Sequence, residues 1–449
     1  MSRRATLTYG LRWDVNPAPS EANGNLFPTV IGLQNPATAT LAPKGTKFYN
    51  TTYGNVGPRI GLAYKISERG GPVVRAGFGV YYDLGYNFAG SAAPNSYPFS
   101  SSITYSNLPL TAPQYVMNAP PAGFTSPNGA LIAYKNGYQL PYTLETNIAI
   151  EQPIGRDNLV MATYIGEFGR RLARVEALIN PSAGLSPDFT RINLVTNAAT
   201  SDYNALQLQF RRRLAKGVQT LASYTFAKSL DIVSDESVIN YQAPLNLYNA
   251  ALDRGPSTFD VRHSFSGSVS YDLPLITGNR FLRSVLGGFG IDALARAQSA
   301  PPVAILTNTD GLGFGITSVS RPNVVPGVPL VIQNPSAPGG KRINPAAFTV
   351  PPNGVQGNLG RDVVRGFGLF QIDTSLRRDF RIAERLHLQF RVDAFNLLNH
   401  PNFALPNGQL NNVNFGVSTQ MLGASLGGLT PLYQIGGARS LQLSLKLLF

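Results

Sequence analysis

Three observations predict an all-β chain that crosses a membrane as an antiparallel β-barrel, with about 12 strands in these residues. The first is the carboxyl-terminal stretch, where Leu441, Leu443, Leu445, Leu447 and Phe449 share one face of an extended strand and Gln442, Ser444 and Lys446 share the other. A strand bathed by lipid on one side and by a polar lumen on the other reads this way, with aromatic residues at the membrane interfaces. The second is the recurrence of such segments along the whole chain. The third is an asymmetry in their connections: long ones follow the odd-numbered segments and short turns follow the even-numbered ones. An even strand count with short turns at one end returns both chain ends to that end. A soluble β-sandwich has no such asymmetry, and a β-propeller would show a blade-length repeat, which is absent.

Taken in order, the first segment spans about Thr6 to Asp14, with Leu7, Tyr9, Leu11 and Trp13 on one face. The second, near Arg59 to Ile66, joins the third, Val73 to Asp83, through a tight turn at Ser67 to Gly71. The fourth, Tyr142 to Gln152, turns at Pro153 to Asp157 into the fifth, Leu159 to Gly166. After a medium connection the sixth, Tyr203 to Arg212, sets Ala205, Leu206, Leu208 and Phe210 around inward Gln207, Gln209 and Arg211. A turn at Leu214 to Gly217 leads to the seventh, Val218 to Lys228. The eighth is the clearest, with Phe265, Gly267, Val269 and Tyr271 against Ser264, Ser266, Ser268 and Ser270. The ninth runs from Phe289 to Gln298 and the tenth from Phe370 to Arg378, with a turn at about Phe380 to Arg385. In the eleventh, Leu386 to Phe395, Leu388, Phe390, Val392 and Ala394 oppose His387, Gln389, Arg391 and Asp393. The domain reading is a single barrel domain over 1–449, with long extracellular loops at about 15–55, 84–141, 229–262, 299–369 and 398–439.

Composition agrees with this reading. Only 14% of the residues are charged, 43% are hydrophobic, and Gly, Pro and Tyr number 45, 34 and 20. No apolar run reaches the ~18 residues of a transmembrane helix. The absence of cysteine removes disulfides, thiol chemistry and Cys-ligated metal. The formal charge of +13 is spread over strands and turns, with Arg211, Arg212 and Arg213 as its densest cluster, so nucleic acid is not an expected partner. No apolar signal-peptide core precedes Ala5. That predicts a carboxyl-terminal piece of a longer protein or a reading frame that starts late.

The chain is not expected to be an enzyme, and no catalytic, cofactor or metal residue is assigned. Gly423-Ala424-Ser425-Leu426-Gly427 matches a nucleophile pattern, but no helical period follows to strain the serine into the open. Gly311 to Gly315 lacks the flanking strand and helix of a dinucleotide fingerprint, and Asn308 and Asp310 lack the closing Glu of a calcium loop. The histidines, His263, His387 and His400, have no argued carboxylate and serine partners. Candidate lumen residues are Arg59, Glu145, Arg211, Asp292, Arg296, His387, Arg391 and Asp393, with Arg12, Lys65 and Glu151 on the same face. Mutual pairing and hydration explain them more simply than a substrate site.

Tyr203 to Asp231 and the following Phe259-Asp260-Val261-Arg262-His263 resemble a strand pair and loop of Oar-like TonB-dependent outer-membrane receptors. So do Arg321-Pro322-Asn323, Asn344 to Phe348, Gly357 to Arg361, and Leu388 to Phe403. With the Phe-terminated last strand, the resemblance covers Tyr203 to Phe449 strongly and the earlier residues diffusely. It implies a receptor barrel of about 22 strands around an amino-terminal plug, preceded by a carboxypeptidase-regulatory-like β-sandwich. This chain carries neither of these in its sequence, so it is read as the carboxyl-terminal barrel portion. Coupling to TonB is expected only if upstream sequence supplies a plug. Implied partners are outer-membrane lipid, an unknown extracellular ligand and the barrel-assembly machinery, since Leu443, Leu445, Leu447 and Phe449 resemble the terminal signal it reads.

Two functions follow from these readings. One is receptor-mediated uptake of a bulky ligand across the bacterial outer membrane; the other is a structural, adhesive or porin-like barrel without energised transport. Two substitutions test the terminal strand. Phe449→Ser is expected to impair assembly, seen as loss of folded protein from purified outer membranes. Leu443→Arg, facing mid-membrane lipid, is expected to cost about 2 to 4 kcal/mol in unfolding from lipid vesicles, with Lys446 substitutions milder.

Overall fold

The computed structural model describes residues 4–20, 22, 29–68, 70–84, 128–179, 184–234, 250–274, 287–307, 320–353, 355–383, 386–425 and 435–449. Twelve long strands form one sheet in sequential order. They are β1 (Ala5–Trp13), β2 (Val56–Lys65), β3 (Val73–Tyr82), β4 (Tyr142–Ile154), β5 (Asn158–Ile179), β6 (Phe189–Ala215), β7 (Val218–Asp231), β8 (His263–Asp272), β9 (Phe289–Gln298), β10 (Leu369–Ala383), β11 (Leu386–Phe395) and β12 (Ser440–Leu448). Every strand is antiparallel to the next, so all twelve sequence segments are strands of this one sheet. Among the described residues, β1 pairs only with β2 and β12 only with β11, leaving two outer edges.

Register turns the alternation within each strand into two continuous surfaces. Val218, Tyr271, Ile291, Leu376, Val392 and Leu443 stand opposite one another in turn across β7 to β12. One residue along, Gln219, Ser270, Asp292, Ser375, Asp393 and Gln442 form the corresponding row on the other face. The apolar face is left uncovered by protein: Leu441, Leu443 and Leu445 are 69%, 69% and 67% exposed. An uncovered aliphatic wall of this extent is what lipid covers. No described helix is long and apolar enough to cross a membrane.

Short turns close the strands at one end. Lys216 and Gly217 both adopt positive φ (52° and 78°), the backbone of a two-residue type I′ hairpin. A Cβ on Gly217 would stand 2.4 Å from the Asp272 carbonyl oxygen, so glycine is required there. The turns are tighter than the sequence suggests, because β6 continues through Leu214 to Ala215 and β10 through Phe380 to Ala383.

The other end is more ordered than expected. The connection after the fifth segment is not a plain loop: β5 and β6 run on together to Ile179 and from Phe189, past bulges between Gly169 and Arg174. The expected loop 84–141 contains a strand, Asn128–Tyr134, that pairs in parallel with the start of β6. This arm carries two apolar cores, one around Tyr134, Tyr138 and Val195 and one around Leu131, Phe189 and Ile192. The loop 299–369 is a lobe of paired two- and three-residue strands. Its core contains Val303, Ile343, Phe348 and Val364, with Phe415 delivered from the last connection. Ala205, expected outward, lies on the polar face opposite Ala227, since a methyl group fits either environment. Gly311 to Gly315, Asn308, Asp310, Leu426 and Gly427 lie outside the described residues.

Candidate functional site

The register places Arg59, Glu145, Arg211, Asp292, Arg296, His387, Arg391 and Asp393 on the polar face, each one residue out of phase with the aliphatic wall. Four of them come together. Asp292, Arg296, Arg391 and Asp393 line a cavity of about 460 Å³ with Ser270 and Asp373, bounded by side chains from β7 to β11. Five neighbouring strands can bound one cavity only where their shared face is concave. Arg59 and Glu145 meet around a second cavity of about 350 Å³ over Gly77 and Gly79, where the Arg59 guanidinium lies 4.3 Å from the Tyr81 ring centre. Arg211 and His387 belong to neither cavity.

Most of the charge on the wall of the larger cavity is paired, while Arg296 has no charged partner among the described residues. Asp292 accepts from the Ser270 hydroxyl (2.6 Å) and from Arg377 Nε (3.2 Å), and Arg377 also pairs with Asp272. Arg391 Nε lies 2.8 Å from Asp393, and the Gln371 amide donates to Asp373 (2.8 Å). Arg377 is the hub that the sequence reading passed over. Its signal was legible in the inward series Gln371, Asp373, Ser375, Arg377 and Asp379, which alternates with outward Phe370, Ile372, Leu376 and Phe380. The adjacent Arg378 points the other way, its guanidinium 4.8 Å from the Phe289 ring centre and 4.4 Å from that of Phe380.

Above the sheet, at the long-loop end, lies a buried ion network. Asp253 accepts from Arg174 and Arg321, each at 2.8 Å, and Arg361 pairs with Asp231 while donating to the Asp253 carbonyl (2.9 Å). Asp260 accepts from Arg365 (2.5 Å) and from the Ser229 amide (2.7 Å). Arg174, Arg321, Arg361, Asp231, Asp253 and Asp260 are all buried. The network ties β5, the end of β7, residues 250–262 and the loop lobe into one body. Glu176 and Asp362 complete it: burial pushes both carboxyls above their ordinary range, opposed by Arg174 and Arg361 respectively. Burial likewise draws Arg321 below its ordinary value against the pull of Asp253.

The sequence motifs fall at these joints. Asp260, Arg321 and Arg361 each come from one of them, and Asn344 caps the turn Pro345–Ala347 by accepting from the Ala346 amide (3.2 Å). Asn396, at φ 48°, donates to the carbonyls of His400 and Gly437, both at 2.9 Å, and Asn402 accepts from the Phe370 amide (2.9 Å). The motifs thus satisfy backbone and charge where the strands leave the sheet. No catalytic grouping forms among the described residues. The Ser425 hydroxyl donates to its own Leu422 carbonyl (2.8 Å), and His263 sits on the apolar face 2.7 Å from the Tyr224 hydroxyl.

A family model described as outer membrane beta barrel domain matches residues 1–442. The chain belongs to that family. Its place is the bacterial outer membrane. No curated protein matches its sequence. Among solved structures it is similar to the outer membrane transporter YddB from Escherichia coli, at 12% identity and a TM-score of 0.51, over 88% of this chain and 40% of that one. It also matches the FrpB iron transporter from Neisseria meningitidis at 12% identity and a TM-score of 0.46, over 99% of this chain and 43% of that one. The ferric-catecholate import receptor Fiu from Escherichia coli matches at 12% identity and a TM-score of 0.43, over 100% and 42%. The outer-membrane barrel chain therefore spans about 40% of the length of these transporters.

Substitutions in the ion network separate the two carboxylates on Arg361, the close Asp231 and the more distant Asp362. Asp231→Ala removes the closer carboxylate of the buried Arg361, leaving Asp362 at 3.4 Å, and is expected to cost about 3 kcal/mol of local stability. The Asp362 carboxyl has its folded pKa raised, so its ionisation opposes folding, with a penalty that is full above the folded pKa and fades as pH falls from there to the ordinary carboxylate value. Asp362→Asn is therefore expected to be neutral or stabilising at pH 7, and asparagine tolerates the positive φ of 55° there. Amide hydrogen exchange over 250–262 and 355–368 reads both effects.

Proposed function

We propose that this chain is the carboxyl-terminal barrel portion of an Oar-like, TonB-dependent receptor that takes up a bulky ligand. The long-loop end faces the cell exterior and the short turns face the periplasm. The observation that carries the reading is the continuous polar face, charged and concave across β7 to β11, backing onto a lipid-facing aliphatic wall. In this reading Arg59, Glu145, Arg211, Asp292, Arg296, His387, Arg391 and Asp393 line the lumen. Leu443, Leu445, Leu447 and Phe449 form the assembly signal.

The two outer edges of the sheet bear on the size of the whole barrel. An edge peptide group in hydrocarbon costs several kcal/mol, so β1 and β12 must both be paired in the membrane. We propose that further strands from upstream sequence pair them, making the wider receptor cylinder, with a plug from the same upstream sequence coupling to TonB.

Two measurements test this. The native protein, detected in purified outer membranes with an antibody to residues 388–403, is expected to run far above the 48.2 kDa of this chain. Periplasmic accumulation of fluorescently labelled oligosaccharides, peptides and ferric chelates is expected to include a compound lost equally on deleting this gene and on deleting tonB. Leakage of small solutes that ignores tonB would support the porin-like alternative, and a heat-modifiable band at 48 kDa would support a small autonomous barrel.

A further inference from the structure

High on the polar face, β6, β7 and β8 carry a pocket that differs from the charged cavity below it. Its volume is about 260 Å³, and it is lined by Tyr203, Gln207, Thr225, Ser229 and Ser264 from the strands and by Phe259 from the loop above. Gln207, Thr225 and Ser264 stand directly opposite one another on three neighbouring strands. Among the described residues the Gln207 amide and the Thr225 hydroxyl carry no protein hydrogen bond. They present donors and acceptors to the pocket instead.

Phe259 is the unusual member. It is 63% exposed, yet the turn that presents it is pinned on both sides. Ser257 is fully buried, with its amide on the Ser229 carbonyl (3.1 Å) and its hydroxyl 2.8 Å from the Ser229 hydroxyl. The Asp260 amide donates to the Ser257 carbonyl (2.9 Å), and the Asp260 side chain is locked by Arg365 and by the Ser229 amide. An aromatic ring held bare on so rigid a mount is preorganised to stack on a ligand rather than to pack a core.

Charge decides the class of ligand. Asp260 lines the pocket, but its carboxylate is buried and held by Arg365 and the Ser229 amide, with Arg262 3.9 Å away, while Arg361 pairs with Asp231. No arginine or lysine is among the residues lining the pocket, so an anionic iron chelate would find no cation in its wall, and the one lining carboxylate, Asp260, is buried. A neutral ring with an apolar C–H face and hydroxyls around its edge suits an aromatic plate above a row of amide and hydroxyl groups. The volume falls below the range of drug-sized sites, and so suits one ring of a longer molecule.

The geometry points to a carbohydrate subsite: Phe259 stacks on one neutral sugar unit of an oligosaccharide, while Gln207, Thr225 and Ser264 hydrogen-bond its hydroxyls. This rests on the uptake reading above and names its substrate class.

The test is calorimetric titration of protein purified from native outer membranes in detergent. The probes are cellotetraose, maltotetraose, mannotetraose and xylotetraose, with tetra-alanine and a ferric trihydroxamate as comparators. At least one tetrasaccharide is expected to bind, and Phe259→Ala to weaken it about tenfold. Phe259→Trp is expected to retain binding, and Gln207→Ala to lose several-fold. Heat-modifiable migration confirms that each variant is folded. The subsite is overturned if no tetrasaccharide binds, if both Phe259→Ala and Gln207→Ala bind as wild type, or if the hydroxamate binds instead and loses affinity with Phe259→Ala. Accumulation assays keep the two proposals apart. Binding without tonB-dependent accumulation leaves the subsite standing and removes transport. Accumulation that ignores Phe259→Ala leaves transport standing and removes the subsite.

Discussion

A peptide group in hydrocarbon has no water to turn to, so its N–H and C=O must find partners within the protein. That requirement governs this chain more than side-chain packing does. It selects strands joined edge to edge in sequential order, and it lets residues as small as Gly267 and as large as Phe265 share one outward face. Because each strand separates two solvents, the composition of either side answers to its solvent rather than to a common interior. The apolar cores accordingly lie at the long-loop end, in the arm and the loop lobe.

Where the chain leaves the sheet, the same requirement is met by side chains. Asn396, Asn402 and Asn344 take over backbone partners that a strand neighbour would otherwise supply. Arg361 reaches three backbone carbonyls as well as Asp231, a set of contacts suited to a planar guanidinium with five donors. Burying these ions is costly unless every lone pair and proton is used. The pairing of Arg174, Arg321, Arg361 and Arg365 with Asp231, Asp253 and Asp260 ties the described residues of this end to one another across the fold.

Most of the sheet was legible in the sequence, for a physical reason. Period two persists over nine residues in β12 and ten in β8 because opposite faces meet lipid and water. The eight polar-face candidates followed from the same phase, and the register puts all of them on one face. What escaped the reading has the opposite character. The partners of the ion network lie far apart in sequence, 79 residues for Arg174 with Asp253 and 130 for Arg361 with Asp231, and local pattern carries no trace of such pairs. The arm was missed because bulges between Gly169 and Arg174 break the alternation that would have extended the strands. Phe259 was legible only as the first residue of the Phe259-Asp260-Val261-Arg262-His263 motif, since its rigid mount depends on Ser229 and Ser257 meeting across the fold.

The paired arginines of β10 show what a two-solvent sheet does to mutational tolerance. Arg377 and Arg378 are chemically identical neighbours, but one answers to carboxylates in water and the other to aromatic rings at the edge of lipid. Selection therefore filters their codons by unrelated criteria. Leucine or phenylalanine is compatible with the surroundings of Arg378 and ruinous at Arg377, while serine or glutamine has the reverse ranking. Sequence drift in such a chain proceeds as two interleaved texts, each read every second letter, and an insertion of a single residue within a strand exchanges one text for the other.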